Sequence, residues 1–237
     1  MTMIRMSITW AATGFAALLA AGLVAAGVTL ADSGTAGGAT YTTATATIDA
    51  GVWRVTVGQL RGGNSSVTTA FNAASRASGQ TMTDMLDADH MDPTGSTFES
   101  RPTVIFRPTT VEQVLVGTYY WRLAAHPVNY ITTIVIDTRT ATPITLADLF
   151  TDSRAGLNRL SEQTKRIFPT VYGNGTPMGD EPGNAPTDEN FHNWIATGAG
   201  LEIHVVDGQF GHGLPVITVP WSQLSDLLAP AMRILAQ

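Results

Sequence analysis

The sequence has no cysteine among its 237 residues. That excludes disulfide frameworks, thiolate zinc sites, iron–sulfur clusters and cysteine nucleophiles. Basic residues are few, 13 against 19 acidic ones, for a net charge of −6. No face can then gather the Lys and Arg density that grips a phosphate backbone, and no nucleic-acid partner is expected. Charged residues of both signs amount to 14%, low for a cytosolic globular protein. Familiar catalytic signatures are missing too. There is no G-x-S-x-G elbow, no P-loop, no G-x-G-x-x-G after a strand and no H-E-x-x-H. No cofactor and no metal is expected, and no residue is marked as catalytic.

What is present begins with the first 31 residues. Arg5 is the only charge before Asp32, and residues 6–31 form an uncharged run rich in Ala, Leu and Val. A basic start, an apolar stretch and small residues at its end are the layout of a secretory signal peptide. Thr29-Leu30-Ala31 offers a cleavage site. The run also exceeds the roughly 20 residues that cross a bilayer, so it serves equally as an uncut N-terminal membrane anchor, a transmembrane helix. Either way residues 32–237 are expected outside the cytoplasm, secreted or held at the cell membrane. That part carries 12 basic and 19 acidic residues, net −7, and Lys165 is its one lysine beside eleven arginines. The bias suits a GC-rich, actinobacterial genome and carries no functional signal.

Residues 32–46 are Gly, Ala, Thr and Ser with almost no large apolar side chain, which predicts a flexible spacer. From residue 47 the pattern becomes that of a folded domain. Alternation predicts a strand over 48–57 with Gly51 at a turn or bulge, and helical spacing of Val67, Phe71, Ala74, Met82 and Met85 predicts a helix over 64–86 capped by Ser65 or Ser66. Gly79 weakens or ends that helix. Residues 87–100 read as a loop, and 104–106, 113–123 and 130–137 as strands. Thr145 to Asp148 has the form of a capping box, and a helix over 154–168 should stop at Pro169. After a Pro- and Gly-rich loop over 173–187, strands are predicted over 201–205, half-exposed, and 216–219, with a final helix over 221–228 capped by Ser222. This order predicts an α+β fold: a mixed, mainly antiparallel sheet packed with two or three helices, preceded by one N-terminal hydrophobic helix.

Few residues suggest chemistry. His126 sits between Ala125 and Pro127 at a strand break, where proline constrains the backbone. There it bonds to nearby backbone, contacts a partner or acts as a base. His204 and His212 are eight apart across a Gly-containing turn, and read as surface imidazoles or as a strand-based metal pair. Gly208-Gln209-Phe210-Gly211-His212-Gly213 either lets backbone approach a ligand closely or forms a bulged hairpin loop. The binding candidates are therefore His126, Pro127, Phe210 and His212. Asp84, Asp87, Asp89 and Asp92 cluster near His90 without the glycine and terminal glutamate of an EF-hand, so they read as a solvated loop. Trp53, Trp121, Trp194 and Trp221 read as core aromatics, with one available for a binding surface.

Two stretches carry a family resemblance. One is Tyr119-Tyr120-Trp121-Arg122-Leu123-Ala124-Ala125-His126-Pro127, continued by Ile134-Val135-Ile136-Asp137 and by residues 143–150. The other is Phe191, Trp194, Gly200-Leu201-Glu202-Ile203, Gly213 and residues 216–224, with Val219-Pro220-Trp221 at a strand end. Both resemble the extracytoplasmic domain of RsiV-type anti-sigma factors, which sense lysozyme, a domain similar to that of secreted mycobacterial immunogenic proteins. Ala124-Ala125 stands where that family carries a Gly-rich pair. The resemblance spans about residues 45–235 and implies an RsiV-like domain over 47–237. With only residues 1–5 ahead of the apolar run, no sigma factor is expected as a partner. It implies an exported, non-catalytic cell-envelope binding domain whose partner is a basic extracellular protein such as lysozyme, or cell-wall material. The alternative from residue content is a secreted or wall-associated esterase, a carboxylic ester hydrolase drawing on the abundant Ser, His and Asp.

Overall fold

The computed structural model describes residues 32–237. The segment read as a leader or anchor lies outside them; among the described residues no helix is long and apolar enough to cross a membrane. Three antiparallel sheets and a few helices make up the fold, as the α+β reading expects. The first sheet has the order β1 (Ser33–Ala36), β2 (Ala39–Ala50), β3 (Trp53–Gly62). The second is β4 (Ser96–Phe106), β5 (Thr110–Trp121), β6 (Val128–Asp137), β7 (Thr142–Pro143). The third has β9 (Gly200–His204) between β8 (Trp194–Ala196) and β10 (Val216–Pro220).

The stretch expected to be a spacer is therefore two paired strands. Tyr41 is buried against Phe106, and Ala36 joins the same core. Threonine is a good strand former and alanine packs under neighbours, so a low-complexity composition still folds once a sheet accepts it. Gly51 does turn the chain, with φ +63° between β2 and β3.

Helix α1 (Ser65–Ala88) is capped by Asn64, whose side chain accepts from the N–H groups of Ser66 and Val67, not by a serine. It runs straight through Gly79, where a Cβ would lie 2.6 Å from Val57 Cγ1. The glycine thus permits close helix-to-sheet contact and does not end the helix. Val67, Phe71, Met82 and Leu86 of α1 are all buried, in two clusters reached from β3, β5 and β6.

On the opposite face of β5 and β6, Val114, Ile131 and Val135 join the largest apolar cluster. That cluster also takes in α2 (Leu146–Leu149), α3 (Ser153–Tyr172), α4 (Asp188–Phe191) and the third sheet. The capping box is present: Asp148 Oδ2 accepts from Thr145 N at 2.9 Å. Pro169 does not end α3. The Lys165 carbonyl that loses its helical donor there accepts from Met178 N at 2.9 Å instead. The final helix resolves into two 3₁₀ segments, Trp221–Gln223 and Pro230–Ala236. Between them the chain is drawn out by bonds from Thr151 N to Leu227 O and from Ala229 N to Leu149 O.

The three sheets meet through side chains. On β3, Thr56 N donates to Ser100 Oγ at 2.6 Å and Gly58 N to Gln113 Oε1 at 2.8 Å, while Asn72 both accepts from Leu60 N and donates to Leu60 O. On β8, Trp194 N donates to Thr133 Oγ1 and Ala196 N to Glu112 Oε1. Gln113 is wholly buried and holds the first junction: its Oε1 also accepts from Ser75 Oγ, and its Nε2 donates to Ser78 Oγ. Gln113→Ala strands several buried polar groups and leaves a cavity, and should lower unfolding free energy by about 3 kcal/mol. Ser100→Ala, which removes a hydroxyl that accepts from Thr56 N and donates to Thr56 O, should cost about 1 kcal/mol. Urea denaturation of both variants checks this; a Gln113→Ala loss below about 0.5 kcal/mol would show that the junction does not depend on this side chain.

Candidate functional site

Two loops meet at the far end of the central sheet. The β5–β6 turn, residues 122–127, follows an antiparallel pairing that runs out at Tyr119 opposite Val128. The β9–β10 loop, residues 205–215, carries Gly208, Gly211 and Gly213 at φ +90°, +119° and +104°, a backbone path that glycine permits. Asp207 joins the two. Its Oδ2 accepts from Asn129 N at 2.9 Å and Asn129 Nδ2 at 3.0 Å, and its Oδ1 accepts from Gly213 N at 2.8 Å. Burial alone would raise this carboxyl, but the donations from Gly213 and Asn129, with His212 nearby, outweigh it and hold the group below the usual carboxylate range.

That clasp brings the rings of His126 and His212 together, with centroids 3.9 Å apart and a 45° tilt. Both residues are exposed. His126 Nδ1 lies 3.1 Å from Pro127 O, and His212 Nδ1 lies 3.7 Å from Asp207 Oδ1. Pro127 is half-buried beside them. Phe210 faces elsewhere, against Phe168 of α3 with centroids 4.5 Å apart, and anchors the loop to that helix. Of the four binding candidates the structure thus joins His126, Pro127 and His212 and gives Phe210 a packing role.

The hairpin tip next to the pair exposes large apolar side chains on either side of the exposed Arg122. Tyr120 and Trp121 are each 43% exposed and Leu123 is 72% exposed, whereas Trp53, Trp194 and Trp221 are buried. Trp121 is the one tryptophan of the four left at the surface. The acidic run is tied to the same end: Trp53 Nε1 donates to Asp87 Oδ1, Tyr130 Oη to Asp89 Oδ2, and Tyr119 Oη to the Asp92 carbonyl. These aspartates are not merely solvated; they anchor core aromatics while remaining exposed. Sequence reasoning missed Asp207 and Asn129, 78 residues apart. The Asp207-Gly208 step, a turn signal, was the one clue.

His204 is buried, not at the surface, because β9 is a central strand covered on both faces. Its Nε2 is 3.1 Å from Glu202 Oε1, but out of line for a hydrogen bond, and burial outweighs the attraction of Glu202 and lowers its pKa. It therefore makes no pair with His212. Among the described residues no three His, Asp or Glu side chains converge as metal ligands, and no serine or threonine hydroxyl hydrogen-bonds a histidine. An open groove of about 620 Å³ lies elsewhere, between α3 and residues 180–186, with Glu162, Lys165 and Asp180 in its wall. Lys165 is already paired there with Asp180.

No family model matches the chain, and no curated protein matches it. Its fold is similar to two solved crystal structures. One is a DUF3298 family protein from Pseudomonas aeruginosa PAO1, at TM-score 0.56 and 11% identity, covering 80% of this chain and 95% of that one. The other is a DUF3298 family member from Bacteroides fragilis, at TM-score 0.57 and 11% identity, covering 82% and 96%. At that identity the likeness is one of fold, and a shared fold does not carry function.

Glu112 of β5 is buried on the side toward β8. Oε1 accepts from Thr110 Oγ1 at 2.7 Å and from Ala196 N at 3.2 Å, and Oε2 has no partner. Burial pushes its pKa up to about 7, against the lowering effects of Thr110, Arg107 and Ala196. Raised in the folded state, the group contributes stability that is full below the unfolded value and is lost as pH rises through about 7. That loss should approach roughly 3 kcal/mol between pH 4.5 and 8. His204, held neutral by burial, works in the opposite sense, so the readout is wild type minus Glu112→Gln. That difference should become more negative by roughly 3 kcal/mol as pH rises from 4.5 to 8 in urea titrations; a pH-independent difference would show that Glu112 stays ionised.

Proposed function

We propose that this chain is an exported cell-envelope binding domain, similar to the outer domain of RsiV-type anti-sigma factors, and that it is non-catalytic. The β5–β6 hairpin end is its contact surface. One observation carries the reading: an apolar tip of Tyr120, Trp121 and Leu123 stands exposed beside a pair of loops that Asp207 fixes in place. Aromatic side chains on a pre-organised loop are the usual anchors of protein recognition, because they bury much area with little loss of freedom.

The surroundings favour a basic partner. Asp87, Asp89 and Asp92 ring the base of the hairpin, and residues 32–237 carry a net charge of −7. Such a field accelerates encounter with a cationic protein and does so less at high salt. A lysozyme-like protein fits that chemistry, and the resemblance over residues 119–150 and 191–224 points the same way. The apolar run over residues 6–31 supports delivery across the membrane, after which the domain is secreted or held by that segment.

The test is capture of purified basic muramidases by the full chain in low- and high-salt buffer, with Trp121→Ala and Leu123→Ala alongside. Retention at low salt that weakens as salt rises, and that falls at least about tenfold in Trp121→Ala, is the expected result. Failure to retain any muramidase removes the lysozyme-like partner. Equal retention by both variants removes the hairpin tip as the contact surface.

A further inference from the structure

The geometry points to a second use of the loop junction: His126 and His212 form an open site for a borderline first-row divalent cation of the Zn²⁺, Ni²⁺ and Cu²⁺ class. The inference needs no protein partner and stands apart from the binding reading above.

Two imidazoles from loops 86 residues apart in sequence lie in contact at the surface, with centroids at 3.9 Å. Each ring has its Nδ1 turned toward an oxygen acceptor, the Pro127 carbonyl at 3.1 Å for His126 and the Asp207 carboxylate at 3.7 Å for His212. On His126 the Pro127 carbonyl requires the proton on Nδ1 and so leaves the Nε2 lone pair free, and on His212 the Asp207 carboxylate, at ion-pair distance, favours the same tautomer. An oxygen behind each ligating imidazole is also what orients it and raises its basicity in metal sites.

Asp207 is suited to that supporting role and unsuited to ligation. Its side chain is only 7% exposed, and its two oxygens are already engaged by Asn129 N, Asn129 Nδ2 and Gly213 N. It supplies negative charge next to the pair without moving into it. A Zn²⁺ ion binds imidazole nitrogen at about 2.0–2.1 Å, so two ligands of one ion stand about 3 Å apart. Both side chains are exposed and their rings are already in contact, which places the two imidazoles within reach of one ion. Two protein ligands leave the remaining positions to water, so the site is open, exchangeable and weaker than a closed four-ligand site. Imidazole ligands favour Zn²⁺, Ni²⁺ and Cu²⁺ over Mg²⁺ and Ca²⁺, which take oxygen.

The test titrates ZnCl₂, NiCl₂ and MgCl₂ into the untagged full chain by calorimetry, with histidine ring resonances followed by NMR during Ni²⁺ addition. One equivalent of Zn²⁺ and of Ni²⁺ should bind, reversibly with chelator, and Mg²⁺ should not. His126→Ala and His212→Ala should each abolish saturable binding, and Asp207→Asn should weaken it by about tenfold. His90→Ala and His192→Ala, changes at exposed histidines outside the pair, should bind like the parent. Ni²⁺ should broaden the rings of residues 126 and 212 first. The inference falls if the parent binds no Zn²⁺ or Ni²⁺, if either single variant binds as the parent does, or if broadening is no greater at the pair than at His90 and His192.

Discussion

The edges of two flanking sheets are closed by side chains of the central sheet and of α1, and the rest of the molecule depends on that closure. A buried strand edge exposes N–H and C=O groups that cost free energy unless each finds a partner. Here Ser100, Gln113 and Asn72 meet the free edge of β3, and Thr133 and Glu112 meet the edge of β8. Side-chain closure obliges β5 to place polar groups at wholly buried positions, with Glu112 and Gln113 adjacent and directed to opposite faces. Because Gln113 also reaches Ser75 and Ser78, α1 is locked over both sheets, and its C-terminal end delivers Asp87 and Asp89 to Trp53 and Tyr130. The base of the β5–β6 hairpin is thereby tied to α1, and its tip is left exposed.

Two carboxylates show how the supply of hydrogen-bond donors decides whether lost hydration shifts a pKa up or is overcome. Asp207 loses hydration but receives three N–H donations, so its anion is favoured. Glu112 loses more hydration and receives one hydroxyl and one N–H on a single oxygen, with nothing on the other. Its neutral form is then close in free energy to the anion near pH 7. The difference follows position: Asp207 sits in a loop whose backbone N–H groups are uncommitted, whereas Glu112 sits in a strand whose neighbours have already spent theirs on pairing. A strand carboxylate that caps another strand is therefore the group whose protonation the fold itself controls.

Much of this was legible from the residues, and the failures have physical causes. Strands β6 and β10 announced themselves as apolar runs, and the Thr145–Asp148 box closed as expected. Residues 32–46 read as spacer because their side chains are small, yet strand formation needs an accepting edge, which lies on β3 and is invisible locally. Pro169 read as a terminator because the rule concerns the lost donor, and the chain supplied another from Met178. His204 alternates with apolar neighbours like an exposed residue, but alternation marks exposure only where one face meets water. His126 and His212 were each singled out, but their contact depends on the relative placement of two hairpins and on Asp207.

Connecting loops are less constrained by a fold than the elements they join. Binding groups on loops gain precision from what lies beneath them. Here that support is unusually direct, since Asn129, one residue into β6 from the hairpin turn, fixes Asp207, which fixes the loop carrying His212. A change in β6 register by one residue would turn Asn129 away and release both loops, so the pairing of Thr118 with Asn129 also sets the position of the surface groups. The same residue links the sheet to the loop junction: Thr118 Oγ1 donates to Asn129 Oδ1 within the sheet while Asn129 Nδ2 donates to Asp207 outside it. Sheet register, loop position and the meeting of the two imidazoles are therefore one constraint, and the tip formed by Tyr120, Trp121 and Leu123 projects from it with its direction already set.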